Sequence, residues 1–379
     1  MHTPLYFDNA ATTSISQSAL ASYEEVAGRM IGNPSALHPL GRDAHALLEE
    51  SRTLAAGLLK VPAQHLTFTS GATEANAIVH NSLIWRSQPA HVAMSNIEHP
   101  SIKEYERIYK HLGWTISFLN APNGFVQPQD LAKVLTKQTR LVSIMLVNNV
   151  VGSIQDVKAL VEVVRRFERD QGGRKIHFHT DATQALGKIP FDLTELGVDS
   201  ASFSAHKFNG PRGIGILYNT DASIEALSRG GDQEAGLRPG TENLAAIVSM
   251  TTALKEAIQN LDEQYEQVKQ INAQLRDALS FLPILSPLHT CSPYILTFAA
   301  MKLPSEVFTR MLYDRGFCVS SGSACSNNAR HKGESVLAAM QYQQKQRASS
   351  IRLSFSKDTT QAEADALAKA IISLYQEHP

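Results

Sequence analysis

From about residue 43 to residue 220 the chain alternates between two textures. Stretches with apolar residues at helical spacing, such as "DAHALLEESRTLAAGLLK", are followed by short apolar runs closed by residues that break regular structure. An apolar residue every three or four positions puts a stripe on one side of a helix, whereas a short apolar run between breakers reads as a strand. The runs that read as strands are "HLTFTS" (65–70), "HVAMS" (91–95), "TISFL" (115–119), "LVSIMLV" (141–147), "KIHFHT" (175–180), "SASFS" (200–204) and "GIGILY" (213–218). Several are apolar on both faces, as strands inside a mostly parallel sheet are. The alternation predicts an α/β fold with a mostly parallel seven-stranded sheet covered by helices.

After "GLRPGTEN" the texture changes. Residues 243–280 read as one long helical segment, with Leu244, Ile247, Val248, Leu254, Ile258 and Leu261 at helical spacing, ending near Pro283. Beyond it, strand-like "YILTFAA", "FCVSS" and "SIRLSF" lie among helical "EVFTRMLYDR" and "TQAEADALAKAIISLY". This predicts a smaller α+β domain at the C-terminus. The expected division is a large domain over 15–250 and a small one built from 1–14 and 251–379.

Composition narrows the classes. A chain of 379 residues can bury a sizeable core. Its net charge of −1 offers no electrostatic footprint for nucleic acid or an anionic membrane. No apolar run approaches the roughly 20 residues that span a bilayer. The start "MHTPLYFDNAATT" has no basic stretch followed by an apolar one, so no secretory signal is expected and the cytoplasm is the expected compartment. Cys291, Cys318 and Cys325 form no C-x-x-C pair, so neither a disulfide framework nor a zinc site is indicated.

Three stretches carry candidate chemistry. "SGATEAN" (70–76) follows a strand and opens a helix, where small residues let backbone N–H groups approach an anion. It lacks the lysine of a nucleotide-binding P-loop, which favours a phosphate-bearing cofactor of another kind. "HTDATQALGK" (179–188) sets Asp181 at the carboxyl end of a strand, where α/β ligand sites lie; a helix cap is the plainer role for it. "SFSAHKFNGPRGIG" (202–215) gathers Ser204, His206 and Lys207 at the end of the next strand. A lysine there packs poorly but is a good nucleophile when desolvated. Pyridoxal 5′-phosphate needs these parts: a lysine for its Schiff base, an acid at its ring nitrogen and a phosphate cup. "SSGSACSNNAR" (320–330) holds Cys325 with no apolar neighbours to bury it and no second cysteine near enough to pair. Its Gly, Ser and Asn content gives that thiol freedom to travel.

Taken together, the chain resembles a cysteine desulfurase of the class V aminotransferase group, within the fold-type I pyridoxal-phosphate enzymes. "YFDNAATT", "GNPSALH", "TSGATEAN", "EHPS", "VNNVVG", "DATQALGK", "SAHKFNGPRGIGILY", "GLRPGTEN", "SSGSACS" and "SSIRLSF" follow the family's order over nearly the whole chain. The resemblance implies that Lys207 bonds the cofactor and Asp181 pairs with its ring nitrogen. It implies that His99 stacks on the ring and is a candidate proton partner of the thiol, and that Gln184 and Asn149 bond around the ring oxygen. Ala72, Thr73, Ser204 and His206 are expected to hold the phosphate, with Thr241 reaching in from the second subunit of a homodimer. Arg352 is expected to bind the substrate carboxylate, aided by the loop of Asn33. The implied reaction converts L-cysteine to L-alanine, with Cys325 taking the sulfur as a persulfide. A sulfur-acceptor protein would then take it on for iron–sulfur cluster assembly or tRNA thiolation.

Cys318 is expected in a buried strand, and Cys291 is assigned no role. The sequence departs from the family at Val150, where a carboxylate is usual, and at Asp232 and Ser356, where glycine is common. The Val150 change leaves Asn149 available but removes a carboxylate near the cofactor, which puts the local hydrogen bonding there in question. Two other readings compete: a pyridoxal-phosphate lyase or aminotransferase for another amino acid such as selenocysteine, and a catalytically idle scaffold. The first has less need of Cys325, and the second has no need of Lys207, Asp181, His99 and Arg352 together.

Overall fold

The computed structural model of the chain describes residues 4–85, 88–172, 174–226, 228–322 and 336–378. Cys325, singled out above, lies outside the described residues.

The strands in chain order are β1 (Leu5–Tyr6), β2 (Leu66–Thr69), β3 (His91–Ser95), β4 (Thr115–Leu119), β5 (Thr139–Ser143), β6 (His177–Asp181), β7 (Ser200–Ser204), β8 (Gly215–Asn219), β9 (Ile295–Ala299), β10 (Phe317–Cys318), β11 (Ser320–Ser321) and β12 (Ser350–Ser354). The seven expected runs form one sheet in the order β2-β8-β7-β6-β5-β3-β4. β4, β3, β5, β6 and β7 pair in parallel. β8 runs against both of its neighbours, β7 and β2. Two reversals restore the direction, so β2 runs the same way as β7. The carboxyl ends of β2, β3, β5, β6 and β7 therefore share one edge.

The run expected as a strand over 141–147 pairs regularly only to Ser143. Its continuation still bonds to β6, through Ile144 N–H to the His179 carbonyl and Leu146 N–H to the Asp181 carbonyl. This carries the chain past the strand end toward Asn149.

The segment expected as one helix over 243–280 is two helices, Leu244–Gln259 and Leu261–Ala278. Asn260 parts them, with φ −122° and ψ 28°. The break follows a change of partner. Leu254 and Ala257 of the first helix join the apolar cluster on the large sheet. Val268, Ile271 and Leu275 of the second join a separate cluster with Phe7, Phe298, Phe308 and Leu353. A straight helix could not bury both stripes.

β11, β12 and β9 make a small antiparallel sheet over that second cluster. "FCVSS" is two short strands rather than one: β10 pairs with β1 and β11 with β12. The expectation that Cys318 is buried is corrected accordingly. It is half-buried, on a two-residue strand paired to the equally short β1. The C-terminal helix Gln361–Glu377 opens on a capping box between Thr360 and Glu363.

Gly215, at the start of β8, has a steric duty. A Cβ there would stand 2.4 Å from the Phe203 carbonyl oxygen and 2.6 Å from the Gly71 Cα. Both are backbone atoms with little room to retreat. Overpacking of this kind costs about 1–3 kcal/mol. Gly215→Ala should lose stability by that amount in urea unfolding followed by circular dichroism; an unchanged midpoint would refute the close approach.

Candidate active site

The shared carboxyl edge opens on a cavity of about 710 Å³. Asp8, Ala72, Thr73, His99, Asn149, Asp181, Gln184, Ser204, His206, Lys207 and Arg352 all line it. Strand direction explains much of this. β6 ends at Asp181 and β7 at Ser204, followed by a short turn through Lys207. β2 ends just before Gly71, from which the helix Ala72–Ser82 starts. Among the described residues no side chain caps that helix, so its leading N–H groups open on the cavity. Gly71 sits at φ +147°, a conformation that side-chain-bearing residues rarely adopt.

The start of the chain closes the cavity from the other side. The Lys207 Nζ donates to the carbonyls of Ala10 (2.7 Å) and Ala11 (2.6 Å). Gln184 Nε2 donates to the same Ala10 carbonyl at 2.9 Å. The Gln184 Oε1 accepts from the buried Lys188 ammonium at 2.8 Å, which fixes the amide with its NH₂ toward the cavity side. Burial pushes Lys188 down to about 7.

Arg352, on β12, is buried. One of its nitrogens donates to the Asn149 carbonyl (2.9 Å) and another to the Asp8 carboxylate (2.7 Å). The guanidinium is thus aimed and charge-compensated in advance. A ligand carboxylate would compete with Asp8 for it.

Asp181 is held by two donors. Its Oδ1 accepts from Thr183 N–H at 3.0 Å and its Oδ2 from Asn76 Nδ2 at 3.0 Å. The second Asn76 Nδ2 proton goes to Ser101 Oγ at 2.9 Å. Ser101 Oγ in turn lies 2.8 Å from His99 Nδ1, which also accepts from Ser101 N–H. With Asn76 donating into it, the Ser101 hydroxyl gives its own proton to His99. Two donors on Nδ1 leave the ring proton on Nε2. Burial chiefly lowers the basicity of His99; Asp181 opposes that and Lys207 adds to it. The neutral ring can therefore give a proton at Nε2 but has no lone pair there to take one.

His206 is also neutral near pH 7. Burial, and then the nearby Lys207, Lys188 and Arg212 cations, bring it down to about 4. It offers an incoming anion a hydrogen bond rather than a charge.

Two expected residues are not brought to the cavity. Thr241 is exposed and does not line it. Asn33 is exposed as well, and its Oδ1 closes its own loop by accepting from Ser35 N–H at 2.9 Å. The departures are benign here. Val150 is buried in the main apolar cluster, its N–H donating to Asn148 Oδ1 and its carbonyl accepting from Thr297 Oγ1. Val150 does not line the cavity, and its backbone groups are paired. Ser356 closes a turn through Thr359 Oγ1, and Asp232 is exposed.

Glu98, beside His99, carries a role that its sequence position hid. It is buried, and its Oε1 accepts from Ser95 Oγ (2.5 Å) and Met145 N–H (2.7 Å). These bonds pin the His99 turn to β3 and to the continuation of β5. Its Oε2 has no partner among the described residues. Burial raises the carboxyl to about 8, so the proton stays on. Only its place in the "EHPS" motif could have flagged it.

Comparison with known proteins places the chain among relatives. The aminotransferase class-V family model matches residues 5–367. A NifS/IcsS protein homolog of Lactobacillus delbrueckii subsp. bulgaricus is 39% identical over 381 residues, covering 98% of this chain and 97% of that protein. A cysteine desulfurase IscS of Dictyoglomus turgidum is 34% identical over 337 residues, covering 87% of this chain and 84% of that one. A solved NifS-like protein superposes with a TM-score of 0.91 at 32% identity, over 99% of this chain and 100% of its own.

The state of Glu98 generates a prediction. Its folded-state value lies above the ordinary 4.5, so the fold keeps a proton that the unfolded chain releases. The stability it contributes is present below about 4.5 and is lost as pH rises toward about 8. Glu98→Gln stays neutral throughout. Its stability relative to the parent should rise between pH 5 and pH 8, on the order of 1 kcal/mol per pH unit. A difference that stays constant over that range in urea titrations would show Glu98 to be ionised.

Proposed function

The chain belongs to the aminotransferase class-V family, and from that premise we propose that this pyridoxal-phosphate-dependent cysteine desulfurase delivers the sulfur of L-cysteine to Cys325 as a persulfide. The observation that carries the reading is the convergence of Lys207, Asp181, His99 and Arg352 on one cavity.

The residues present fit the cofactor. Gly71, Ala72, Thr73, Ser204 and His206 offer an uncharged donor cup for its phosphate, with the Arg212 cation on the rim. A side chain at Gly71 would fill that cup, since its Cβ would approach Ser204 Oγ at 3.4 Å. Asp181 supplies the carboxylate for the ring nitrogen, Gln184 a fixed NH₂ group for the ring oxygen, and Lys207 the amine. His99 covers the ring face, and Asn149 lies beside it. When bound, pyridoxal phosphate draws electrons from the substrate's α-carbon and so makes its sulfur open to attack.

The chain's own residues do the rest. Arg352 takes the substrate carboxylate and holds one orientation. His99 can return a proton from Nε2. The Cys325 thiolate attacks the substrate sulfur: a sulfur–sulfur bond forms and the carbon–sulfur bond breaks. The bonding pair stays on carbon, which takes up a proton and leaves as L-alanine. No outside oxidant is needed.

A homodimer completes the site in this reading. Thr241, exposed and away from its own cavity, serves the phosphate of a second copy, and the Asn33 loop serves that copy's substrate site. The persulfide passes to a sulfur-acceptor protein, for iron–sulfur cluster assembly or tRNA thiolation, in the cytoplasm, where thiols stay reduced. None of the described helices is long and apolar enough to cross a membrane.

Incubation with L-cysteine, with alanine assay and persulfide mapping by mass spectrometry, checks the reading. The parent should form alanine and carry persulfide on Cys325, and Cys325→Ser should lose both. Persulfide on Cys318, or undiminished alanine from Cys325→Ser, would overturn the assignment.

A further inference from the structure

β6 and β7 carry a polar face that the mechanism above does not use. His177, His179 and Asp181 alternate along β6, so they point to one side of the sheet. Ser200 and Ser202 stand beside them, in register with His179 and Asp181. Ser202 Oγ lies 3.3 Å from His179 Nε2 as a side contact, and the remaining side chains join with Asn76 into one chain of hydrogen bonds. Asp181 Oδ2 accepts from Asn76 Nδ2, and Asn76 Oδ1 meets His179 Nε2 at 2.9 Å. His179 Nδ1 meets Ser200 Oγ at 2.7 Å, and Ser200 Oγ meets His177 Nε2 at 2.7 Å. His177 Nδ1 ends the chain on Asp221 Oδ2 at 2.9 Å.

The proton order along this chain is forced. Turning the Asn76 amide over would set its oxygen against the Asp181 carboxylate. Its oxygen therefore faces His179, and His179 Nε2 must carry a proton. His179 is wholly enclosed, and burial, with His80 and His177 near, keeps it neutral. His80 is also neutral, brought down to about 3 by burial. His179 Nδ1 is then an acceptor and takes the single Ser200 hydroxyl proton. Ser200 Oγ must in turn accept from His177 Nε2–H. The other His177 nitrogen faces Asp221, whose carboxyl the hydrogen bond from His177 chiefly holds far below its ordinary range. Both nitrogens of His177 thus face acceptors. The charges around it balance: Asp199 nearby is itself held by Arg165 and Lys175.

We propose that His177 is a positioning residue: its imidazolium, anchored on Asp221, orients a one-way relay through Ser200, His179 and Asn76 that holds Asp181 as a carboxylate for the cofactor's ring nitrogen. Every donor in the relay points toward Asp181, so each bond favours negative charge there. The same Asn76 amide also sets Ser101 and through it the His99 tautomer. The consequence for the ring nitrogen rests on the cofactor reading above; the proton order does not.

The test uses the loaded enzyme with ¹⁵N-labelled histidine, read by NMR and assigned through His177→Gln and His179→Gln. His177 should show protons on both ring nitrogens, and His179 a proton on Nε2 alone. In Asp221→Asn, His177 should lose one of its protons, and the nitrogen of ¹⁵N-labelled cofactor should shift toward its unprotonated position. Ser200→Ala, which cuts the relay but leaves the charge pair, should move the cofactor nitrogen the same way while His177 stays doubly protonated. A merely structural role would change the melting temperature of these variants and leave the cofactor nitrogen in place. A neutral His177 in the parent, a His179 proton on Nδ1, or an unmoved cofactor nitrogen in both variants would overturn the proposal. If no cofactor binds, the functional reading fails, while the histidine signals still decide the proton order.

Discussion

Parallel strands have only one carboxyl edge, and the chemistry of this chain hangs from it. Six strands of the large sheet end there, and five of them each deliver one element: the uncapped helix start after β2, the His99 turn after β3, Asn149 beyond β5, Asp181 on β6 and Lys207 after β7. β8 runs backwards between β2 and β7, and Gly215 at its start lets Gly71 and β7 approach closely. Without that close approach the anion cup and Lys207 would stand apart. The N-terminal segment then crosses to the edge, where Ala10 and Ala11 hold the Lys207 ammonium and Asp8 holds Arg352.

Burial makes this edge precise as well as reactive. Desolvation strips charge from His99, His206, His179 and Glu98, and leaves them as directed donors and acceptors. Charge is retained where a partner compensates it, as at Arg352 with Asp8. The fully used amide of Asn76 joins these two behaviours, since one of its protons goes to Asp181 and the other to the hydroxyl that fixes His99. Dipoles fixed in this way stabilise charge as it develops.

Much of this was legible in the sequence, for reasons that can be named. Breaker-bounded apolar runs located all seven sheet strands, because burial on the sheet requires them. The motif residues at strand ends, Asp181, Ser204 and Lys207, fell on the edge because strand direction fixes which end they occupy. The segment over 243–280 reads as one helix because helical periodicity persists across Asn260 while the packing partner changes. Glu98 and Asn76 give no signal in the sequence, because a lone carboxylate or amide has the same letter whether it is solvated or buried. The histidines of "KIHFHT" carried a readable signal in their period of two, but it was masked by reading the strand as apolar. Phe178 faces the main apolar cluster, whereas His177 and His179 face the polar relay. Thr241 and Asn33 are exposed and lie away from the cavity of their own chain, a placement that spacing along the sequence does not reveal.

The central claim is that the shared edge builds a cofactor site whose covalent anchor is Lys207. Reduction of the purified enzyme with borohydride, followed by peptide mapping, tests it most directly. The pyridoxyl group should be found on Lys207, the lysine that lines the cavity and whose ammonium lies on the Ala10 and Ala11 carbonyls. Its appearance on Lys188, buried behind Gln184, or its absence from every lysine, would contradict the account.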